Sequence, residues 1–444
     1  MKRLILCRSL LCSLLLTLCV GTGMAQEGST KTIAMTLEQC LKFAKENSIT
    51  LKQYALSIDD SIADELAAKG VFLPTVAASV GQYLSASPLS TESSKSYYSG
   101  SYGVDLSMPI YNAGKNKASY EQSKLSIEMA ELSLEEQQNA LEVSVTEVFV
   151  QMLYAMEQIE VAKNSLILTQ KSLERGKAYL EVGSINKSDF AQLQSANADS
   201  EYDLILAQTT LSTLQVSLKQ LLEISQDVTL SVIAPQTDNA SIMNPLSSVQ
   251  EVYKSALTIR PEIGFTKLLI SSAKYDEEIA KAGYMPTVSL TAGVGVSHIS
   301  SSSYTFSGQL RNNFDTSVGV SVSVPIFSNY KNKSATIKAQ NAVTSANLSH
   351  TDSEKVLYQT IETLYNNAYN AQAKYSVADY KLQASETSLK LTTEQYNLGM
   401  KNIIELLTEQ DNYRESAQEY ITNKYQFILN RALLEFYKTD QIKL

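Results

Sequence analysis

The chain has 444 residues, with 46 acidic against 37 basic side chains and a formal charge of −9, and it carries no basic stripe that would track a nucleic-acid backbone. Its two histidines, His298 and His350, and its four cysteines fall outside any H-E-x-x-H, C-x-x-C, G-x-S-x-G or phosphate-loop pattern, which excludes the common metalloenzyme, thiol, hydrolase and nucleotide chemistries. No enzyme activity, cofactor or metal is therefore expected, and both histidines read as solvated, His298 in an external loop and His350 in mid-helix.

Residues 1–25 open with Lys2, Arg3 and Arg8, continue in a leucine-rich run of about a dozen residues, and end in small residues at Gly23 and Ala25. This is the pattern of a secretory signal peptide cleaved before Gln26. Leu18 precedes Cys19 where lipid attachment wants a small residue, so no lipid anchor is expected. Cleavage removes Cys7, Cys12, Cys19 and the three basic residues, so the charge falls to −12 and Cys40 remains alone in an apolar helical pattern. An intramolecular disulfide is then impossible. No later apolar run approaches the ~20 residues of a membrane-spanning helix.

The rest divides into a first repeat (26–226), a linker (227–248) and a second repeat (249–444). Gly70-Val-Phe-Leu-Pro74-Thr75 returns as Gly283-Tyr-Met-Pro286-Thr287. Met108-Pro109-Ile-Tyr111 with Lys115-Asn-Lys117 returns as Val324-Pro325-Ile-Phe327 with Lys331-Asn-Lys333, and Gly183 returns as Gly399. Each half thus reads helix, strand, loop, strand, long helix, glycine, helix. Residues 115–175, 184–234, 326–398 and 400–444 lack both glycine and proline and favour helix. A continuous helix over 326–398 would span on the order of 100 Å. Val145, Met152, Ile159, Leu166 and Leu173 recur every seventh residue beside Leu141, Val148, Ala155, Ala162 and Thr169, a seam for long helices packed on one another.

Between the prolines the period changes to two. Val288, Leu290, Ala292, Val294 and Val296 alternate with Thr287, Ser289, Thr291, Gly293, Gly295 and Ser297; segments 101–108 and 317–324 do the same, and 75–86 more weakly. Four strands of about ten residues, apolar on one side and small-polar on the other, suit an outer-membrane barrel with polar external loops at 87–98 and 299–313. About eight strands are needed for a barrel with an interior. Open edges in lipid cost several kcal/mol per unpaired group, so the chain must oligomerise. Period and spacing leave dimer, trimer and tetramer open. An exported coiled-coil tether or adhesin would explain the heptads, but not the strands and their prolines.

Arg260-Pro-Glu-Ile263, the two Pro-Thr junctions, the two Pro-Ile-aromatic junctions and Tyr396-x-x-Gly399, in this duplicated order, resemble the TolC family of outer-membrane efflux channels across nearly all of the chain beyond the signal. Asn47-Ser-Ile-Thr-Leu51 departs from that pattern, lacking the proline found at Pro261. The resemblance implies a mainly α fold with membrane β: a homotrimer sharing a twelve-stranded barrel, a helical tunnel in the periplasm, and a belt built partly from 227–248 and the C-terminal tail. It implies docking with a periplasmic adaptor and an inner-membrane pump. Gly183 and Gly399 suit left-handed helix ends, and Asn186 and Asn402 each open the next helix with an acid three residues on. Both turns would lie at the tunnel tip, which in the family is closed by polar links and ringed by acids. By position from the glycines, Asp189 and Lys401 fall on the linking acid and base, Tyr396 on their hydroxyl partner and Glu405 on the pore acid. Lys401 replaces the family's arginine, and Thr408 stands where a second acid is sometimes found.

Overall fold

A computed structural model describes residues 31–86, 96–225, 227–234 and 245–443. The signal peptide, most of the first external loop and the middle of the linker lie outside these. Two helices of 67 residues dominate, α3 (Lys115–Glu181) and α8 (Lys331–Asn397). They fold back into α4 (Lys187–Leu221) and α9 (Ile403–Thr439). Helix α8 lies along α9, α9 beside α3, and α3 along α4, so α8 and α4 are the outer members of a four-helix layer. The heptad residues Val145, Met152, Ala155, Ile159, Ala162 and Thr169 are buried in it. Both outer helices keep large apolar side chains exposed, among them Ile205 and Val216 on α4 and Val377 and Tyr380 on α8.

At one level of this layer sit helices α1 (Leu37–Asn47) and α2 (Ile49–Gly70), and their counterparts α5 (Val249–Ile259) and α6 (Pro261–Ala282). The pairs match in length, 11 and 22 residues each. Both break at one residue of extended backbone, Ser48 with ψ 124° and Arg260 with ψ 125°. Pro261 imposes the second break, because the residue before a proline avoids helix. Ser48 achieves the first without proline: its hydroxyl accepts the Leu51 N–H and caps α2. Helix α1 buries Leu37, Cys40 and Ala44 against Phe149, Leu218 and Leu222. Burial pushes the Cys40 thiol up to about 11, the state of a packing residue rather than a nucleophile. Two five-residue strands not expected from the sequence, β1 (Lys31–Met35) and β4 (Val228–Val232), pair in parallel here.

The other sheet contains β2 (Thr75–Ala86), β3 (Ser96–Tyr111), β5 (Thr287–Ile299) and β6 (Asp315–Ser323), antiparallel in the order β2-β3-β5-β6. Its register aligns Val76, Leu106, Ala292 and Val318 in one row and Met108, Leu290 and Val320 in another, all on one face. The opposite face carries rows such as Thr75, Ser107, Thr291 and Gly319. Among the described residues, strands β2 and β6 have a partner on one side only. Pro74 and Pro286 stand immediately before β2 and β5. Pro109 instead lies inside β3, where the register shifts, and Pro325 lies just beyond the end of β6. The strand-to-helix turns place two successive residues at positive φ in each half, Ala113–Gly114 and Asn329–Tyr330.

The second external loop contains a short helix, α7 (Phe306–Asn312), which the polar composition of 299–313 did not signal. Strand β5 runs past its last pair with β6, Gly295–Asp315, and α7 with its C-cap serves the backbone there. The Ile299 N–H donates to Gln309 Oε1, and Asn313 Nδ2 donates to the Ser297 carbonyl. His298 is correspondingly not solvated. It belongs to β5, is 8% exposed, and packs against Tyr98, Tyr102 and Phe306. Its ring occupies the space that a Cβ on Gly100 would need. His350 also has partners: Nδ1 shares a 2.9 Å hydrogen bond with Thr266 Oγ1, and Nε2 lies 3.4 Å from Glu354.

Candidate functional site at the helical tip

The turns after α3 and α8 are built alike. Ser184 N–H donates to the Tyr179 carbonyl and Gly183 N–H to Leu180, while Met400 N–H donates to Gln395 and Gly399 N–H to Tyr396. This is a Schellman end, and it requires the left-handed backbone found at Gly183 (φ 75°) and Gly399 (φ 72°). A Cβ at either glycine would meet nothing within 4 Å, so the requirement is conformational rather than steric. Gly399→Val is therefore expected to lower the thermal stability of the folded protein by about 1–2 kcal/mol, and Gly399→Asn by clearly less. Equal melting of the valine and asparagine variants would refute the backbone argument.

Asn186 and Asn402 open the following helices. Each side-chain oxygen accepts the N–H three residues on, from Asp189 at 2.8 Å and from Glu405 at 2.9 Å. Glu405 returns a bond to the Asn402 N–H at 3.0 Å and completes a capping box. Asp189, one methylene shorter, makes no such return bond. Lys401 precedes the cap, and its i,i+4 spacing brings Nζ to 2.5 Å from Glu405 Oε1. These two bonds, the lysine's first, hold the Glu405 carboxyl below its usual range.

The two turns lie side by side within one chain. Tyr396, Leu389, Ile403 and Leu406 share a cluster with Leu193, and Tyr179 and Ile185 pack against it. Tyr396 meets Tyr179 edge-on at 6.2 Å, and Arg175 donates to Asn397 Oδ1 at 2.6 Å. Tyr396 is 6% exposed, and its hydroxyl has no hydrogen-bond partner among the described residues. Burial raises its pKa, Tyr179 and Asp189 add to the rise, and Arg175 opposes it. Among the described residues no bond joins Asp189 to Lys401 or Tyr396. The expected link is thus not made inside a single chain, where Lys401, just before the cap, pairs with Glu405 in the first turn of α9. Sequence reading missed Tyr179 and Arg175. Tyr179 stands four residues before Gly183 while Tyr396 stands three before Gly399, so aligning the repeats hides the pair. Val182, Leu398, Met400 and Ile404 leave the outermost surface of both turns apolar and exposed.

Residues 41–223 and 252–437 match the family described as Outer membrane efflux protein. The chain belongs to that family. Outer membrane efflux proteins are transport channels of the outer membrane with a large periplasmic tunnel, not enzymes, and the barrel of the fold is closed only in a trimer. Family membership does not favour the tether or adhesin reading. The chain is similar to the alkaline protease secretion protein AprF of Pseudomonas aeruginosa, 22% identical over 66% of this chain and 60% of that one. It is also similar to the outer membrane protein TolC of Escherichia coli, 21% identical over 74% of this chain and 67% of that one. Among solved structures, the CmeC outer membrane channel of Campylobacter jejuni superposes with a TM-score of 0.79 at 16% identity, covering 90% of this chain and 86% of that one. At that identity the likeness is one of fold. It accounts for an efflux protein whose single chain has an open sheet and an open helical layer.

Proposed function

We propose that three copies of this efflux protein close their sheets into one barrel and their helical layers into one tunnel. The assembly conducts cargo passively from a periplasmic adaptor and an inner-membrane pump to the exterior. One observation carries the reading: the four-stranded sheet has a continuous apolar face, a small-polar face and two unpaired edges, and it hangs on helices of 67 residues. The apolar face meets lipid, and the polar face lines water. Edge β2 of one copy pairs with edge β6 of the next, and the exposed faces of α4 and α8 meet between copies in the same sense. The exposed Val182, Leu398 and Met400 provide an apolar surface on which the adaptor docks.

Tyr396, Asp189, Lys401 and Glu405 then act at the entrance. Three copies of Glu405 ring the axis, and the Lys401 ammonium at 2.5 Å partly masks each carboxylate. Contacts of Asp189 and Lys401 with neighbouring copies, and the Tyr396–Tyr179 pair buried beneath them in each chain, hold the tip closed. The purified protein in planar bilayers should form cation-preferring channels, and a protein that inserts without conducting would defeat the reading. Lys401→Ser unmasks the acids, so block by divalent cations from the periplasmic side should deepen, whereas Glu405→Ala should relieve it. Lys401→Ser with Tyr396→Phe should raise single-channel conductance while the trimer stays intact. Wild-type conductance in that double variant would leave Glu405 with its capping role alone and Asp189 with its favourable place in the first turn of α4.

A further inference from the structure

Strands β2, β3, β5 and β6 contain no lysine, arginine or glutamate, and their acidic residues are Asp105 and Asp315. Both belong to the polar face. Asp105 stands in the row Ala77, Asp105, Gly293 and Ser317, and Asp315 in the next row outward, with Ser79, Gly103 and Gly295. Asp315 opens β6 beside the second external loop. Asp105 is deep in the sheet, since its partner Gly293 is the central residue of the 13-residue β5. An ionisable side chain at that depth is costly to keep unless it faces water, where it acts on what passes.

The local geometry leaves this carboxylate open. Asp105 is exposed and has no ion pair among the described residues. A Cβ on Gly293 would stand 3.0 Å from Asp105 Oδ1 and 3.5 Å from Ser317 Oγ, so both polar groups reach over the same empty side-chain position. Glycines recur in the next row at Gly103 and Gly295, and no bulky group shields the charge there.

We propose that Asp105 selects by charge inside the barrel, favouring cationic and disfavouring anionic solutes at mid-membrane. This rests on the reading that the polar face lines water. Three copies place three such carboxylates around the lumen. Twelve strands ~4.8 Å apart and tilted by ~40° close on a radius of about 12 Å. That is comparable with the ~10 Å Debye length at 0.1 M salt, so the field reaches most of the lumen. The hydrocarbon outside has a low dielectric constant and confines the field to the water inside. Because Asp105 is built into the sheet, its selection persists whether the tip is open or shut. It is a second level of charge selection, distinct from Glu405.

Charged thiol reagents read this potential without any current through the tip. Ser317→Cys places a thiol in the same row, and Cys40, the free cysteine of the described residues, is buried. The rates at which a cationic and an anionic methanethiosulfonate label that thiol are measured on the full chain in detergent, with and without Asp105→Asn. Their ratio cancels any change in the reactivity of the thiol itself. At 10 mM salt Asp105→Asn should lower the cationic-to-anionic ratio about fivefold, and at 1 M, where the Debye length is ~3 Å, the difference should nearly vanish. Ser321→Cys, two rows away on the same strand and face, should respond less. A ratio at Ser317→Cys that Asp105→Asn leaves unchanged at low salt would overturn this inference alone and leave the wet lumen standing. Failure of both reagents to label either thiol would mean a dry face, and would overturn the inference together with the conduction reading.

Discussion

Val320→Arg is expected to remove the protein from the outer membrane as an assembled oligomer. Val320 stands in the middle of β6, opposite Leu290, which is itself opposite Met108, on the apolar face of the sheet. It is 63% exposed in the single chain, because none of the described residues covers that face. An arginine near the bilayer midplane of a barrel costs about 2–4 kcal/mol per copy, and a trimer meets that cost three times. The neighbouring Ser321 provides the contrast. It pairs with Ser289 on the opposite face, where an arginine would project into water. Ser321→Arg should assemble normally and alter conductance. Membrane fractionation and the heat resistance of the oligomer on gels read both outcomes, and assembly of the two variants to the same extent would mean that this face does not meet lipid.

Arg260→Ala is expected to destabilise the periplasmic part strongly. The Arg260 residue is 4% exposed, and its guanidinium donates to the Phe436 carbonyl. It lies over the rings of Phe436 and Tyr437, at 4.1 and 4.5 Å from their centroids, with Asp440 Oδ1 3.5 Å from Nη1. The side chain thus ties the α5–α6 break to the end of α9, where Asp440 takes a left-handed φ of 58°. Alanine would leave a carbonyl and a partly buried carboxylate without their cation, at a cost of about 3 kcal/mol. Lysine has no planar face to stack on the two rings, so Arg260→Lys should recover only part of the loss. Ser48→Ala removes the matching feature of the first repeat, a single hydroxyl cap worth about 1 kcal/mol. Urea unfolding followed by circular dichroism orders the three variants. Equal losses for Arg260→Ala and Ser48→Ala would show that the arginine does no more than a cap.

Most of the elements were legible because their signals are local. Glycine at Gly183 and Gly399 and proline at Pro74 and Pro286 act on the backbone within a few residues, and the structure ends or starts elements at each of them. Alternation in 287–297 and heptads in 141–173 report how each segment divides between two environments, whatever its partner is. Strands β1 and β4 were not legible. Five residues carry little periodic signal, and their pairing joins segments far apart in the chain. The break at Ser48 escaped for another reason: a serine cap reads as an ordinary polar residue unless its hydroxyl is seen to accept the Leu51 N–H.

At the tip, sequence by itself determined the turns and the helix starts, since left-handed glycine and an asparagine cap depend only on neighbouring residues. It also determined that four strands cannot satisfy their own edges. Only the tertiary structure decided which groups meet. Tyr396 lies against Tyr179 because the two hairpins pack side by side, and His298 is buried because α7 and two tyrosines close over it. Partner choice depends on distances between segments remote in the chain, and those distances come into being when α3, α4, α8 and α9 assemble into one layer.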